Sequence, residues 1–118
     1  GQGLLVDIAP EQSVLFATWY TYAPASEGLT GAEARRWFAM QASYVPGDLA
    51  FGSVPIYTAT GGVFDQPGDV TRQVVGSANL TFTSCNTMIF DYIFDAGEFA
   101  GLHGTINEQR LTPAPGCE

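Results

Sequence analysis

The amino-acid sequence predicts an all-β fold: an antiparallel up-and-down meander of about seven strands, closed as a small barrel or stacked as a sandwich. Three observations predict it. Apolar and polar residues alternate with period two through most of the chain. The candidate strands lie at short spacings, and strands so close in sequence pair antiparallel, because parallel pairing needs a long crossover. No apolar stretch carries a sustained helical period.

The 118 residues suit one domain spanning 1–118. At 46% hydrophobic and 13% aromatic the chain has enough apolar surface for a packed core. Residues 3–8 read as a short first strand. Residues 14–22 (VLFATWYTY) form the clearest strand, rich in β-branched and aromatic side chains, with Pro10 and Pro24 beyond its ends. Residues 23–34 make a long polar loop. Residues 35–44 (RRWFAMQASY) are ambiguous. Thr30-x-x-Glu33 resembles a capping box and the composition favours helix, but the stretch is short. The reading is a strand preceded by one helical turn.

Val45-Pro46-Gly47-Asp48 suits a type II turn, with Pro and Gly at its centre. Residues 49–59 form the next strand, with Pro55 at an edge or bulge. Gly61-Gly62 and Gln66-Pro67-Gly68-Asp69 have the chemistry of turn and loop. Residues 70–82 supply another long strand, broken at Gly76, and Ser84 to Asn86 make a tight connection. In residues 88–94 Met88, Phe90, Tyr92 and Phe94 share one face. Ala96-Gly97 turns the chain into a last strand over residues 99–111.

Charge narrows the partners. Twelve acids face four arginines, there is no lysine, and the net charge is −8. Nucleic acid and anionic membrane both demand cationic patches, so neither is expected. No apolar run approaches the roughly 20 residues of a membrane span, and no segment of these residues reads as a signal peptide. The chain opens at Gly1 on a strand-like pattern, as expected of a mature or processed product.

The two cysteines, Cys85 and Cys117, lack metal-type spacing. A Cys85–Cys117 disulfide would staple the Pro-rich tail back to the hairpin that contains Cys85, which points to secretion. The alternative is two inert thiols.

Read in order, Gly1-Gln2-Gly3, Leu15-Phe16-Ala17-Thr18-Trp19-Tyr20-Thr21-Tyr22, Trp37, residues 56–64 (IYTATGGVF), residues 75–82 (VGSANLTF), Cys85-Asn86 and Arg110-Leu111-Thr112-Pro113 with Cys117 resemble a domain of secreted proteobacterial proteins. This domain is often repeated or C-terminal, and its function is uncertain. The resemblance covers nearly the whole chain, and FATWYTY is its most specific part. It implies a secreted, bacterial, extracellular or cell-surface β domain and supplies no catalytic residues. There are two departures. The loop between Tyr22 and Trp37 is longer here. A segment of Gly-x-Trp-x-x-Pro character, which reads as a first strand before the Gly-x-Gly, is lacking. A sheet short of one strand exposes unpaired backbone and a slot in its core. Gly3, Leu4, Leu5, Val6 and Ile8 are then an edge for strand donation from a neighbouring chain.

Catalytic signals are weak. His103, the only histidine, sits in Gly101-Leu102-His103-Gly104 with no nucleophile motif nearby. Asp91, Asp95 and Glu98 offer carboxylate pairs of the sort an acidic chain produces by chance. Asp65 and Asp69 are a weak calcium candidate in an ordinary Gly-Pro loop. Asn79-Leu80-Thr81 fits the glycosylation sequon by coincidence. No enzyme activity, cofactor or resident metal is therefore expected. The aromatics Trp19, Tyr20, Tyr22, Trp37 and Tyr57 are candidate ligand contacts, with Trp19 on the opposite face from Tyr20 and Tyr22.

The expected function is a non-catalytic extracellular structural or adhesive module. It would associate through β-strand edges with copies of itself or another extracellular protein, into a filament or oligomer. The alternative is a β-barrel binding a small ligand or carbohydrate through surface aromatics.

Overall fold

A computed structural model describes residues 2–116. Its seven strands are β1 (Gly3–Ala9), β2 (Val14–Tyr22), β3 (Arg35–Ser43), β4 (Ala50–Val63), β5 (Gln66–Phe82), β6 (Thr87–Phe94) and β7 (His103–Gln109). They form one sheet in sequence order, every neighbour antiparallel, curled into a half-barrel around a single core.

Local chemistry explains where the strands start and stop. A 3-10 turn over Gly31–Ala34 precedes β3, as expected. Thr30 stands at its N-cap, yet its side chain makes no capping bond. At the β3–β4 turn, Asp48 N–H donates to the Val45 carbonyl (2.9 Å). Gly47 there supplies the positive φ of 99° that a type II turn needs. Near Pro55 the register slips between Phe51 and Val54. The exposed backbone of that bulge is satisfied by Asn79, whose Oδ1 accepts from Ser53 N–H (2.9 Å). Asn79 thus has a structural role.

Two expected boundaries are corrected. Gly61-Gly62 and residues 66–69 do not turn the chain; they continue the β4–β5 ribbon, and the turn lies at Phe64-Asp65 between the paired Val63 and Gln66. Gly61 sits so close to β5 that a Cβ would lie 2.5 Å from the Asp69 carbonyl oxygen, so the glycine lets the strands stay together. The last strand is shorter than residues 99–111, because 96–102 fold as a turn closed by Gly101 N–H to the Phe94 carbonyl (2.9 Å). Phe99 on that turn plugs the core against Phe38 (ring centroids 5.0 Å). At Gly76, β5 bulges without breaking.

The inward faces of β2 to β6 make the core. Trp19 lies at its centre, 4% exposed, with Phe90 edge-on at 4.9 Å and Tyr92 at 5.0 Å. Met88, Phe90, Tyr92 and Phe94 do share the inner face. Cys85 lies in the β5–β6 connection, and its expected partner Cys117 lies outside the described residues.

Candidate functional site: the seam between the first and last strands

Pairing parity shows which side chains of β1 belong inside. Leu4, Val6 and Ile8 oppose Trp19, Ala17 and Leu15 on β2. Those three partners are 4%, 0% and 0% exposed, whereas inward-facing Val6 and Ile8 are 37% and 39% exposed. A strand is covered inside only if it has neighbours on both sides. Among the described residues β1 pairs with β2 alone and β7 with β6 alone.

Between these borders runs a groove of about 860 Å3. Gln2 to Val6 form one bank and Glu108 to Thr112 the other, with Phe82 and Met88 below. Ile106 and Glu108 oppose Phe90 and Met88 on β6, so they too face inward. The groove therefore has an apolar floor with one carboxylate set into its wall.

The direction of the borders matters. In an antiparallel meander the odd-numbered strands all run the same way, so β1 and β7 are parallel to each other. A single inserted strand running the opposite way can bond antiparallel to both. A hairpin cannot, since one of its two strands would have to pair parallel.

A second unpaired region is the β4–β5 arm. β3 pairs with β4 only at Ala39↔Tyr57 and Met40↔Ile56, and β5 meets β6 only from Gly76 onward. Residues 58–63 and 66–75 thus form a two-stranded ribbon whose tip residue, Phe64, is 94% exposed. Neither sequence periodicity nor composition indicates this arm. The uneven strand lengths, 14 and 17 residues against 7 to 9 elsewhere, are its signal.

The aromatic candidates separate. Trp19 is core and cannot meet a ligand from outside. Tyr20 and Trp37 are direct cross-strand partners on the outer face, and both are exposed. Tyr22 opposes Arg35 on the same face, and Tyr57 is half-buried. Of the carboxylates expected to pair, Asp91 and Glu98 are held apart, Asp91 bound to Thr105 on β7 and Glu98 to Arg36 on β3. Asp91 accepts from Thr105 Oγ1 on the outer face, and His103 is exposed opposite Ile93 at the start of β7. Asp65 occupies the arm's tip turn and Asp69 lies within β5. Among the described residues no three His, Cys, Asp or Glu side chains converge as a metal-binding group. No helix among them is long and apolar enough to cross a membrane.

One polar cluster was not legible in the sequence. Arg36 grips Glu98 with two bonds (Nε–Oε1 2.7 Å, Nη2–Oε2 2.9 Å), tying the 96–102 turn to the start of β3. The bond from Arg36 holds the Glu98 carboxyl below its ordinary range. Glu27, in the loop before β3, is pushed up, first by partial desolvation and then by sharing a hydrogen bond with Glu98.

Compared with protein-family models, curated proteins and solved structures, the chain finds no match.

Proposed function

We propose that this protein is a non-catalytic extracellular structural or adhesive module that assembles by strand addition, its seam taking one extended strand from another copy or another extracellular protein. The exposure of inward-facing Val6 and Ile8 beside an unpartnered backbone edge carries the reading. A strand inserted there gains ladder hydrogen bonds on two sides and covers apolar side chains already turned toward the core. The edge carries none of the lysines that guard exposed strands against pairing. The exposed arm edges offer a further route to oligomers.

Secretion and the Cys85–Cys117 bridge belong to the same proposal. Asn86, next to Cys85, anchors the tail. Its carbonyl accepts from Arg110 N–H (2.7 Å) and its Oδ1 from Ala114 N–H (3.0 Å). Such a bridge would contribute about 3–4 kcal/mol by restricting the unfolded chain. Mass spectrometry without reductant should find the intact chain two hydrogens lighter than the dithiol, and reduction should lower the unfolding temperature.

The main test is sedimentation and electron microscopy of concentrated protein, beside Val6→Lys. The expected result is concentration-dependent oligomers or filaments from the wild type and a folded monomer from Val6→Lys, whose ammonium would lie in the strand slot. A wild type that stays monomeric at high concentration and binds no extended peptide sinks the reading.

A further inference from the structure

Polarity reverses along β5. From Gly76 to Phe82 the strand turns Ala78, Leu80 and Phe82 inward and Ser77, Asn79 and Thr81 outward. In the arm the order inverts. Ile56 pairs with Gly76 and Tyr57 with Val74, so Val75 is an extra residue, and it lies buried on the same side as Gly76. Tyr57 opposes Ala39, the neighbour of buried Met40, so Tyr57 and Val74 face outward. Ladder parity then puts Ala59, Arg72 and Val70 on the outer face, while Thr58, Thr60, Thr71 and Gln73 take the inner side. Val70 and Val74 are 56% and 50% exposed. The arm thus carries its apolar face on the side away from the core, and that face is uncovered.

The outer face of β1 to β3 matches it. Phe16 and Trp37 are 43% and 52% exposed there. The paired outer positions of these three strands hold one carboxylate, Asp7, directly opposite Phe16, with Arg35 at the other end of the face opposite Tyr22. The outer positions of the arm over 57–61 and 70–74 hold one charge, Arg72. Glu98, which borders the groove beside Trp37, is already held by Arg36. The arm and this face look out from one side of one sheet, so within a chain neither lies on the other.

We propose that the arm clasps a second copy of this chain, laying its apolar outer face on the other copy's Phe16 and Trp37 with Arg72 against that copy's Asp7. An aromatic side chain buries about 150–250 Å2, so half of Phe16 and Trp37, covered by Tyr57 and the two valines, makes a contact of roughly 500 Å2 counted on both copies. A stable complex needs about 1,200 Å2, so the clasp does not hold two copies by itself. It acts within the assembly proposed above and rests on that reading for its role. Copies joined at the seam meet at an effective concentration on the order of millimolar, which populates a contact with a Kd of about 1 mM.

Photo-cross-linking reads the contact directly. With Phe16→p-benzoylphenylalanine, illumination of assembled protein should link position 16 to residues 57–75 of another chain, and mixing isotope-labelled with unlabelled chains identifies links between copies. Arg72→Asp should lower the yield at least about fivefold, because it sets like charges against each other. Asp7→Arg should do the same, and the two changes together should restore the link. A cation on β1 that only guarded the seam edge would still inhibit in the double variant. In Val6→Lys the link should be lost at about 10 μM and return at about 1 mM, since the seam no longer concentrates the copies. Links to other regions, full yield in Arg72→Asp, or no rescue in the double variant overturns the proposal. If the wild type stays monomeric, the seam reading fails, and the cross-link at about 1 mM still decides the clasp: a link to the arm upholds it and no link overturns it.

Discussion

Leu15 and Ile8 face each other across the β1–β2 ladder and point to the same side of the sheet, yet Leu15 is wholly buried and Ile8 is 39% exposed. The pair Ala17 and Val6 repeats the contrast one step along the ladder. The difference lies in lateral cover. Leu15 and Ala17 have β1 on one side and β3 on the other, while Ile8 and Val6 have a neighbour on one side alone. Orientation toward a core and burial in it are separate properties in a sheet, and at a border they come apart. The wall from β2 to β6 holds the core, and the seam leaves inward-facing apolar side chains uncovered.

Truncation at matched inward positions should break the two regions apart most visibly. Phe90 is fully buried against Trp19, and Phe90→Ala should cost about 3–5 kcal/mol through lost burial and an unfilled cavity. Val6→Ala at the seam, also inward-facing, should cost under about 1 kcal/mol in dilute monomer, because water already reaches the site. Urea unfolding followed by fluorescence measures both. Equal costs would mean that the seam is as sealed as the wall.

Glycines sharpen the same contrast with smaller effects. A Cβ at Gly76 in the wall would lie 2.2 Å from the Ile93 carbonyl oxygen, and that backbone is held in the β5–β6 ladder. Gly76→Ala should therefore cost about 1–3 kcal/mol. A Cβ at Gly104 on β7 would lie 2.8 Å from the Tyr92 hydroxyl and 3.1 Å from its Cζ, so a side chain packed on Trp19 must give way, whereas at Gly76 the obstacle is backbone. Gly104→Ala should cost about 1 kcal/mol or less. Unfolding midpoints of the two variants, measured side by side, test this ordering.

The seven-strand meander was legible because its signals are local. The alternation in VLFATWYTY, the Val45-Pro46-Gly47-Asp48 turn and the shared face of Met88, Phe90, Tyr92 and Phe94 each need only a few neighbouring residues. The misread boundaries depend on close approach between strands. Gly61-Gly62 has the composition of a turn, and only its packing against the Asp69 carbonyl keeps it in a ribbon. Phe99 carries the apolar signal of a strand, but it plugs the core from a turn. Parity in the sequence placed Trp19 opposite Tyr20 without saying which faces inward. The Arg36–Glu98 tie joins residues 62 apart in sequence, beyond any local pattern. Residues 3–8 read as an open edge from the sequence, whereas the parallel sense of the two borders needs the observed count of seven strands.

Acid should produce the smallest effect, confined to the tie between β3 and the 96–102 turn. The bond from Arg36 lowers Glu98 from its ordinary value of 4.5. A carboxyl depressed by folding contributes stability that is present above its unfolded value and is lost as pH falls through its lowered folded value. Glu27 shifts upward, chiefly by desolvation and then through Glu98, and works in the opposite sense. Its contribution is present below 4.5 and is lost as pH rises through its raised folded value. Arg36 stays charged throughout, because its bond to Glu98 raises a value already far above this window. The Glu98 contribution should thus appear as a loss of stability just below pH 4.5, partly offset by Glu27. Glu98→Gln removes the paired carboxylate and relieves Glu27, so unfolding midpoints between pH 3 and 6 should vary less with pH than in the wild type, by a modest margin suited to an exposed pair. Parallel pH profiles for the two proteins would show that the ion pair is a surface contact without hold on the turn.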